Sequence, residues 1–181
     1  MRALVVCGSR DGGFTSEMCR SFAEGLASRG VASGVIFPID MDIRHCTGCG
    51  LCSADGECVI ADGMGEVYEA FRGSDLLALA SPTRFSGPSS AIKTVIDRFQ
   101  PAWFKDRGHP GSAVGLLSGG SPSPRFSNTV SVFKALAATT GMEWLGHLEV
   151  SGTDDKEPGD VSGPSFEFGE RIGLELVRSR L

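Results

Sequence analysis

Four cysteines lie close together in this chain, at Cys46, Cys49, Cys52 and Cys58, with His45 immediately before the first. The spacing is C-x2-C-x2-C-x5-C. Three thiolates two residues apart can wrap one cuboidal cluster and a fourth can close it, while Gly48 and Gly50 relieve crowding and free backbone N–H groups for the sulfurs. Tetrahedral zinc usually takes two C-x2-C pairs on a longer arm, which fits a run of three less well. The bacterial two-cluster run has x3, a trailing Pro and a fourth cysteine that serves another cluster. With x5 and no second set, this spacing argues for one self-contained [4Fe–4S] centre. Zinc, a disulfide, or a motif that holds nothing are the competing readings. His45 reads as an exposed neighbour, and Cys7 and Cys19 read as buried apolar positions.

A second chemistry-bearing stretch is Gly8-Ser9-Arg10-Asp11-Gly12-Gly13-Phe14-Thr15-Ser16. It follows a short apolar run and leads into a helix. Small residues let the backbone curl inward, and hydroxyls and a helix N-terminus add donors and a favourable dipole for an anion. The Gly8-to-Gly13 spacing copies a nucleotide P-loop, but Phe14 stands where that motif needs its Lys. A polyphosphate would lose its main charge partner; a single terminal phosphate needs no such reach. The G-x-G-x-x-G order of a dinucleotide fold is also missing. An ordinary Gly-rich turn is the plain alternative.

Two more stretches have the same character. Ser81-Pro82-Thr83-Arg84-Phe85-Ser86-Gly87-Pro88 offers a rigid start, polar donors and two large planar side chains. Ser118-Gly119-Gly120 allows a close backbone approach. Each alone is good turn chemistry; three at corresponding strand ends point to a seat for a flat, phosphorylated heterocycle.

The elements that must position these loops alternate along the chain. Apolar runs at Ala3 to Cys7, Val31 to Phe37, Leu76 to Ala80 and Ala113 to Leu117 suit buried parallel strands. Residues 143 to 150 alternate with period two, as at a sheet edge. Between them lie helix faces at Met18, Phe22 and Leu26; Met64, Val67, Tyr68 and Phe71; Ile92, Val95, Ile96 and Phe99; and Val130, Phe133, Leu136 and Ala137. Thr15 or Ser16 reads as the cap of the first. Asp154 to Gly163 reads as a polar loop, and Phe168, Ile172 and Leu176 as a closing helix. Five β–α units imply an α/β doubly wound parallel sheet with helices on both faces. Ligands of such sheets bind beyond the carboxyl ends of the strands, where the three loops fall. The reading is one domain over residues 1–181, with 38–62 as a cysteine-rich insertion after strand two.

Composition narrows the function classes. Hydrophobic residues at 41% and charged residues at 22% suit a globular chain. A net charge of −5 with no basic run gives no reason to expect nucleic acid or an anionic membrane as partner. No stretch approaches the roughly 20 apolar residues of a membrane span. A cytoplasmic location is the expectation.

The chain resembles the NADPH-dependent FMN reductase family of flavodoxin-like proteins. The resemblance rests on the Gly8-to-Ser16 start, the Ser81-Pro82-Thr83 turn, Lys93 followed by Ile96-Asp97-Arg98-Phe99, and Gly119-Gly120, and covers residue 3 to about 150. It implies a five-stranded flavodoxin-like sheet of order 2-1-3-4-5. It also implies that Ser9, Arg10, Phe14, Thr15 and Ser16 hold the FMN phosphate, that Pro82, Thr83, Arg84, Phe85, Ser86 and Gly87 line the isoalloxazine, and that Ser118, Gly119 and Gly120 close on it. Family members commonly carry Asn in place of Phe14 and Tyr or Trp near Arg84. The cysteine segment resembles that of the iron–sulfur flavoproteins, a branch of the same family. This implies that Cys46, Cys49, Cys52 and Cys58 ligate a [4Fe–4S] cluster, with NAD(P)H or a ferredoxin as electron donor and a homodimer or homotetramer as the assembly. No side chain need act as acid or base, so the sequence names no catalytic residue.

Overall fold

A computed structural model describes residues 1–179 of the chain. Five strands form one parallel sheet: β1 (Arg2–Cys7), β2 (Ala32–Ile36), β3 (Leu76–Pro82), β4 (Ser112–Ser118) and β5 (Glu143–Val150), in the order β2-β1-β3-β4-β5. The helices are α1 (Phe14–Ala27), α2 (Cys52–Asp55), α3 (Met64–Arg72), α4 (Ser90–Arg98), α5 (Gln100–Phe104), α6 (Ser127–Thr139) and α7 (Ser162–Arg178). This is the flavodoxin-like doubly wound sheet that the alternation of elements and the resemblance together imply.

Strand alternation decides which helices meet which face. Val5, Cys7, Ala78, Ala80, Val114 and Leu116 point to one side and bury against Met18, Phe22 and Leu26 of α1 and Phe168, Ile172 and Leu176 of α7. Leu4, Val6, Leu77, Leu79, Ala113 and Leu117 point to the other and bury against α3, α4 and α6. The three inner strands are covered on both sides and read as nearly unbroken apolar runs. β5 stays half-buried, as its alternating sequence anticipates.

Helices α1 and α7 are in backbone contact. A Cβ at Gly25 would stand 2.2 Å from the Phe166 carbonyl oxygen. The closing helix therefore fixes the position of α1, and with it the loop that precedes α1.

The first helix begins one turn earlier than its hydroxyls suggest. Gly13 is its cap, and Ser16 reaches back to accept from the Gly13 N–H at 2.9 Å while donating to the Gly13 carbonyl at 2.7 Å. Thr15 and Ser16 lie inside the first turn rather than at its cap. The polar loop after β5 is also more ordered than its composition implies, holding two short 3-10 turns at Thr153–Asp155 and Pro158–Val161. No helix among the described residues is long and apolar enough to cross a membrane.

Candidate cofactor site

Because all five strands run the same way, the loops after β1, β3 and β4 emerge at one edge. Hydrogen bonds tie their tips together. Ser89, which caps α4, donates to the Gly8 carbonyl at 2.6 Å, and its backbone N–H donates to Ser81 Oγ at 2.9 Å. The Thr83 N–H donates to the Ser118 carbonyl at 2.7 Å, and the hydroxyls of Thr15 and Ser118 are 2.7 Å apart and buried. Gly119 donates to Val150 and accepts from Thr153, which adds the loop after β5 to the same frame.

An open cleft of about 470 Å³ lies between the loops that follow β3 and β4. Thr83, Phe85, Ser86, Gly119 and Gly120, all expected there from sequence, line it together. Ser121, Ser123, Pro124 and Arg125 also line it and were not anticipated, because nothing in a Ser/Pro run marks it beyond loop composition. The Thr83 hydroxyl is buried without a hydrogen-bond partner. An orphaned buried hydroxyl is costly unless a ligand meets it, so its place in this wall fits a polar-edged guest.

The lip of the cleft is strained. Phe85 and Ser86 have φ of 47° and 60°, and Arg84 and Gly87 exchange N–H···O bonds across them at 2.9 Å each. That is a two-residue turn with both central residues left-handed, a geometry normally given to Asn-Gly. It holds the Phe85 ring fully in solvent. The Ser86 carbonyl accepts from Asn128 Nδ2 at 3.0 Å, which anchors the lip to α6.

The loop after β1 is curled by Gly12, whose φ is +85°, and a Cβ on Gly12 or Gly13 would project into open space. The side chains here are largely engaged. Ser16 holds Gly13, Thr15 meets Ser118, Ser9 donates to the Arg10 carbonyl at 3.0 Å, and Asp11 pairs with Arg20. Phe14, the first residue of α1, packs partly buried against the core, and Arg10 is exposed. What remains for an anion is the curled backbone, the N–H groups of the first turn of α1, and the Arg10 guanidinium. Cys7 and Cys19 are both fully buried, as expected from sequence.

The cysteine segment forms a separate site. Cys46, Cys49, Cys52 and Cys58 border one cavity of about 250 Å³, with Arg98 and Phe104 completing its wall. Burial raises the Cys52 thiol pKa, and the neighbouring Cys58, Cys49 and Cys46 raise it further. Among the described residues no three His, Cys, Asp or Glu side chains converge on a single ion. Lys105 and Arg107 fasten the far side of the segment, donating to the Ala54 and Asp55 carbonyls at 2.8 and 3.1 Å. His45 is exposed.

Two residues organise this segment; Arg98 entered the sequence reading only within the run that carries the family resemblance, and Asp62 was given no role. Asp62 and Arg98 form a fully buried bidentate pair, with N···O distances of 2.7 and 3.1 Å. Burial, which would raise the Asp62 pKa, is overcome by hydrogen bonds from Arg98 and from the backbone of Arg44 and Met64, and the group is held at about 2. The available signal was that Arg98 falls three residues after Val95, at the border of an otherwise apolar helix face.

The two sites lie at opposite ends of α4. Ser89 at its start joins the cleft frame, and Arg98 at its end borders the cysteine cavity, roughly 13 Å away at helical rise.

Comparison with known proteins bears on the family and the fold. Residues 1–150 match the family model described as NADPH-dependent FMN reductase. An iron–sulfur flavoprotein of Archaeoglobus fulgidus is 33% identical over 183 residues, covering 99% of this chain and 80% of its own. Another, from Methanocaldococcus jannaschii, is 30% identical over 188 residues, covering 99% and 93%. A solved NAD(P)H:quinone oxidoreductase from Methanothermobacter marburgensis superposes with a TM-score of 0.73 at 17% identity, covering 97% and 96%. A flavodoxin, WrbA-like protein from Agrobacterium tumefaciens gives 0.66 at 19%, covering 98% of each chain. At such identities these structures speak for the fold. The family match and the two full-length relatives go further: the chain belongs to the flavodoxin-like NADPH-dependent FMN reductase family, in its iron–sulfur flavoprotein branch.

Proposed function

We propose that this chain is a single-domain FMN-dependent oxidoreductase that takes electrons from NAD(P)H and delivers them to a quinone, a free flavin or another small acceptor. The observation that carries this reading is the cleft between the loops after β3 and β4, with the Thr83 hydroxyl buried and unpartnered in its wall. When bound, FMN supplies hydride and single-electron chemistry; the protein's part is to seat the ring, tune it and leave one face open. Pro82 to Gly87 and Ser118 to Gly120 would flank the ring. The curled backbone from Ser9 to Ser16 would hold the phosphate, with Arg10 as its nearest mobile cation.

Cys46, Cys49, Cys52 and Cys58 would hold a [4Fe–4S] cluster. The C-x2-C-x2-C-x5-C spacing, with all four cysteines bordering one cavity, supports this reading. This favours a second reading, in which the protein is an electron carrier fed by a ferredoxin. Exposed Val59 and Phe104 border the cysteine cavity, and with exposed Leu51 and Trp103, chain neighbours of its lining residues Cys52 and Phe104, they suit burial against a second copy of the chain. A cytoplasmic homodimer or homotetramer is the proposed assembly.

Titration of the flavin-free protein with FMN, followed by stopped-flow mixing with NADPH or with reduced ferredoxin, tests both readings. Rapid flavin bleaching by NADPH alone supports the reductase. Bleaching by ferredoxin only supports the carrier, and failure to bind FMN removes both.

A further inference from the structure

The cysteine segment leaves the fold and returns to it at one point. The Gly63 N–H donates to the Asp42 carbonyl at 2.8 Å, and both roots converge on one guanidinium. Arg98 Nη1 donates to the Arg44 carbonyl at 2.7 Å, and Nη2 donates to the Ile60 carbonyl at 3.2 Å. Asp62 completes the knot, accepting from Arg98 on both oxygens and from the Arg44 N–H at 2.9 Å. Apart from the four-residue α2, the intervening segment has no regular structure. These contacts therefore set where the thiols stand.

The pair is also oriented. Arg98 borders the cavity that all four cysteines line, whereas Asp62 lines an adjoining cavity that it shares with Cys58 alone of the four, together with Tyr68 and Phe71. Both side chains are completely buried, so their charges are little screened, and Arg98 is the buried cation of this region. A group held by four thiolates carries net negative charge and gains more when reduced. Arg98 is the member of the pair that lines the cavity of all four thiols.

We propose that Arg98 and Asp62 are positioning residues for the cysteine site: the fork of Arg98 locks both roots of the segment, and its charge, bordering the cavity of all four thiols where Asp62 meets that of Cys58 alone, favours electron uptake there. The proposal rests on the reading of the cysteines as a cluster site.

The test compares full-length wild type with R98M, R98K and D62N. Each is reconstituted without oxygen using ferrous iron and sulfide, then titrated with dithionite and assayed for iron, sulfide and FMN. Amide hydrogen exchange is followed in the same proteins before and after reconstitution. In R98M the amides of residues 44–62 should exchange at least tenfold faster, and iron per chain should fall at least fivefold, at unchanged FMN content. Its residual cluster should have a more negative potential. R98K should loosen the segment yet keep a potential near that of wild type. D62N should loosen it while moving the potential the opposite way, to more positive values. A merely structural role would not give shifts of opposite sign.

Unchanged exchange and iron in R98M, or potentials that move together in R98M and D62N, would overturn the proposal. Should R98M fail to fold, R98K and D62N still decide it. Wild type that takes up no iron and sulfide overturns the cluster reading and the electrostatic half of the proposal. The exchange data then judge the locking half alone.

Discussion

Thr15 and Ser118 stand 103 residues apart and share a buried 2.7 Å hydrogen bond that fastens the first turn of α1 to the tip of β4. Either hydroxyl, left alone, would be a buried polar group without a partner. T15A or S118A should each cost about 1–3 kcal/mol of stability in urea unfolding. The double variant should cost less than the sum, with a coupling of about 0.5–3 kcal/mol. FMN should bind several-fold more weakly in each single variant, because the bond sets the distance between the proposed phosphate loop and the proposed ring seat.

Thr83 gives the converse case. Its hydroxyl has no partner, so T83V should leave the flavin-free protein as stable as wild type or more so. If the hydroxyl serves the flavin edge, the Kd for FMN should rise about tenfold, the equivalent of one hydrogen bond of roughly 1.4 kcal/mol. Fluorescence titration with FMN measures it. An unchanged Kd would separate Thr83 from the ring.

The turn at Phe85-Ser86 holds two non-glycine residues in left-handed backbone. S86G should raise the stability of the flavin-free protein by about 1 kcal/mol, because glycine adopts that conformation without strain. F85N should relieve the neighbouring position by a similar amount and remove the exposed ring. A ring kept in solvent at this energetic cost suggests contact with what enters the cleft. The expected result for F85N is therefore a several-fold higher KM for the acceptor in steady-state kinetics, with stability maintained.

Acid should unlock the Asp62–Arg98 pair. A carboxylate held near 2 when folded, below its ordinary value, stabilises the fold fully above that ordinary value. The contribution is then lost as pH falls toward 2. Wild type should lose roughly 2 kcal/mol through this group between about pH 4.5 and pH 2. D62N should start less stable and lose correspondingly less over the same interval, as urea midpoints across pH would reveal.

Much of this was legible in the residues. Runs such as Leu76 to Ala80 suit strands covered on both faces, and Met18, Phe22 and Leu26 mark the inward face of a helix. These patterns fix the alternation of elements, and the shared direction of the strands brings Gly8, Thr83 and Gly119 to one edge. The strand order came from resemblance, since periodicity is blind to which strands are neighbours. The hydroxyl partnerships were illegible for a related reason. Ser16 looks like a cap and Thr15 like a phosphate ligand, but their partners are set by how a glycine cap and a distant strand tip arrive in space. Arg98 was hidden by its charge: a lone arginine at the border of an apolar stripe reads as a solvated edge, and only tertiary structure places a carboxylate beside it.

The meeting of Asp42 and Gly63 makes the cysteine excursion a detachable module. A segment that leaves and re-enters at one place can lengthen, shrink or disappear at a closure cost that grows only with the logarithm of its length. The strands need not shift for this to happen. Acquisition or loss of metal chemistry in such an architecture becomes an event at a single junction, leaving the proposed flavin cleft at the far end of α4 free to evolve on its own.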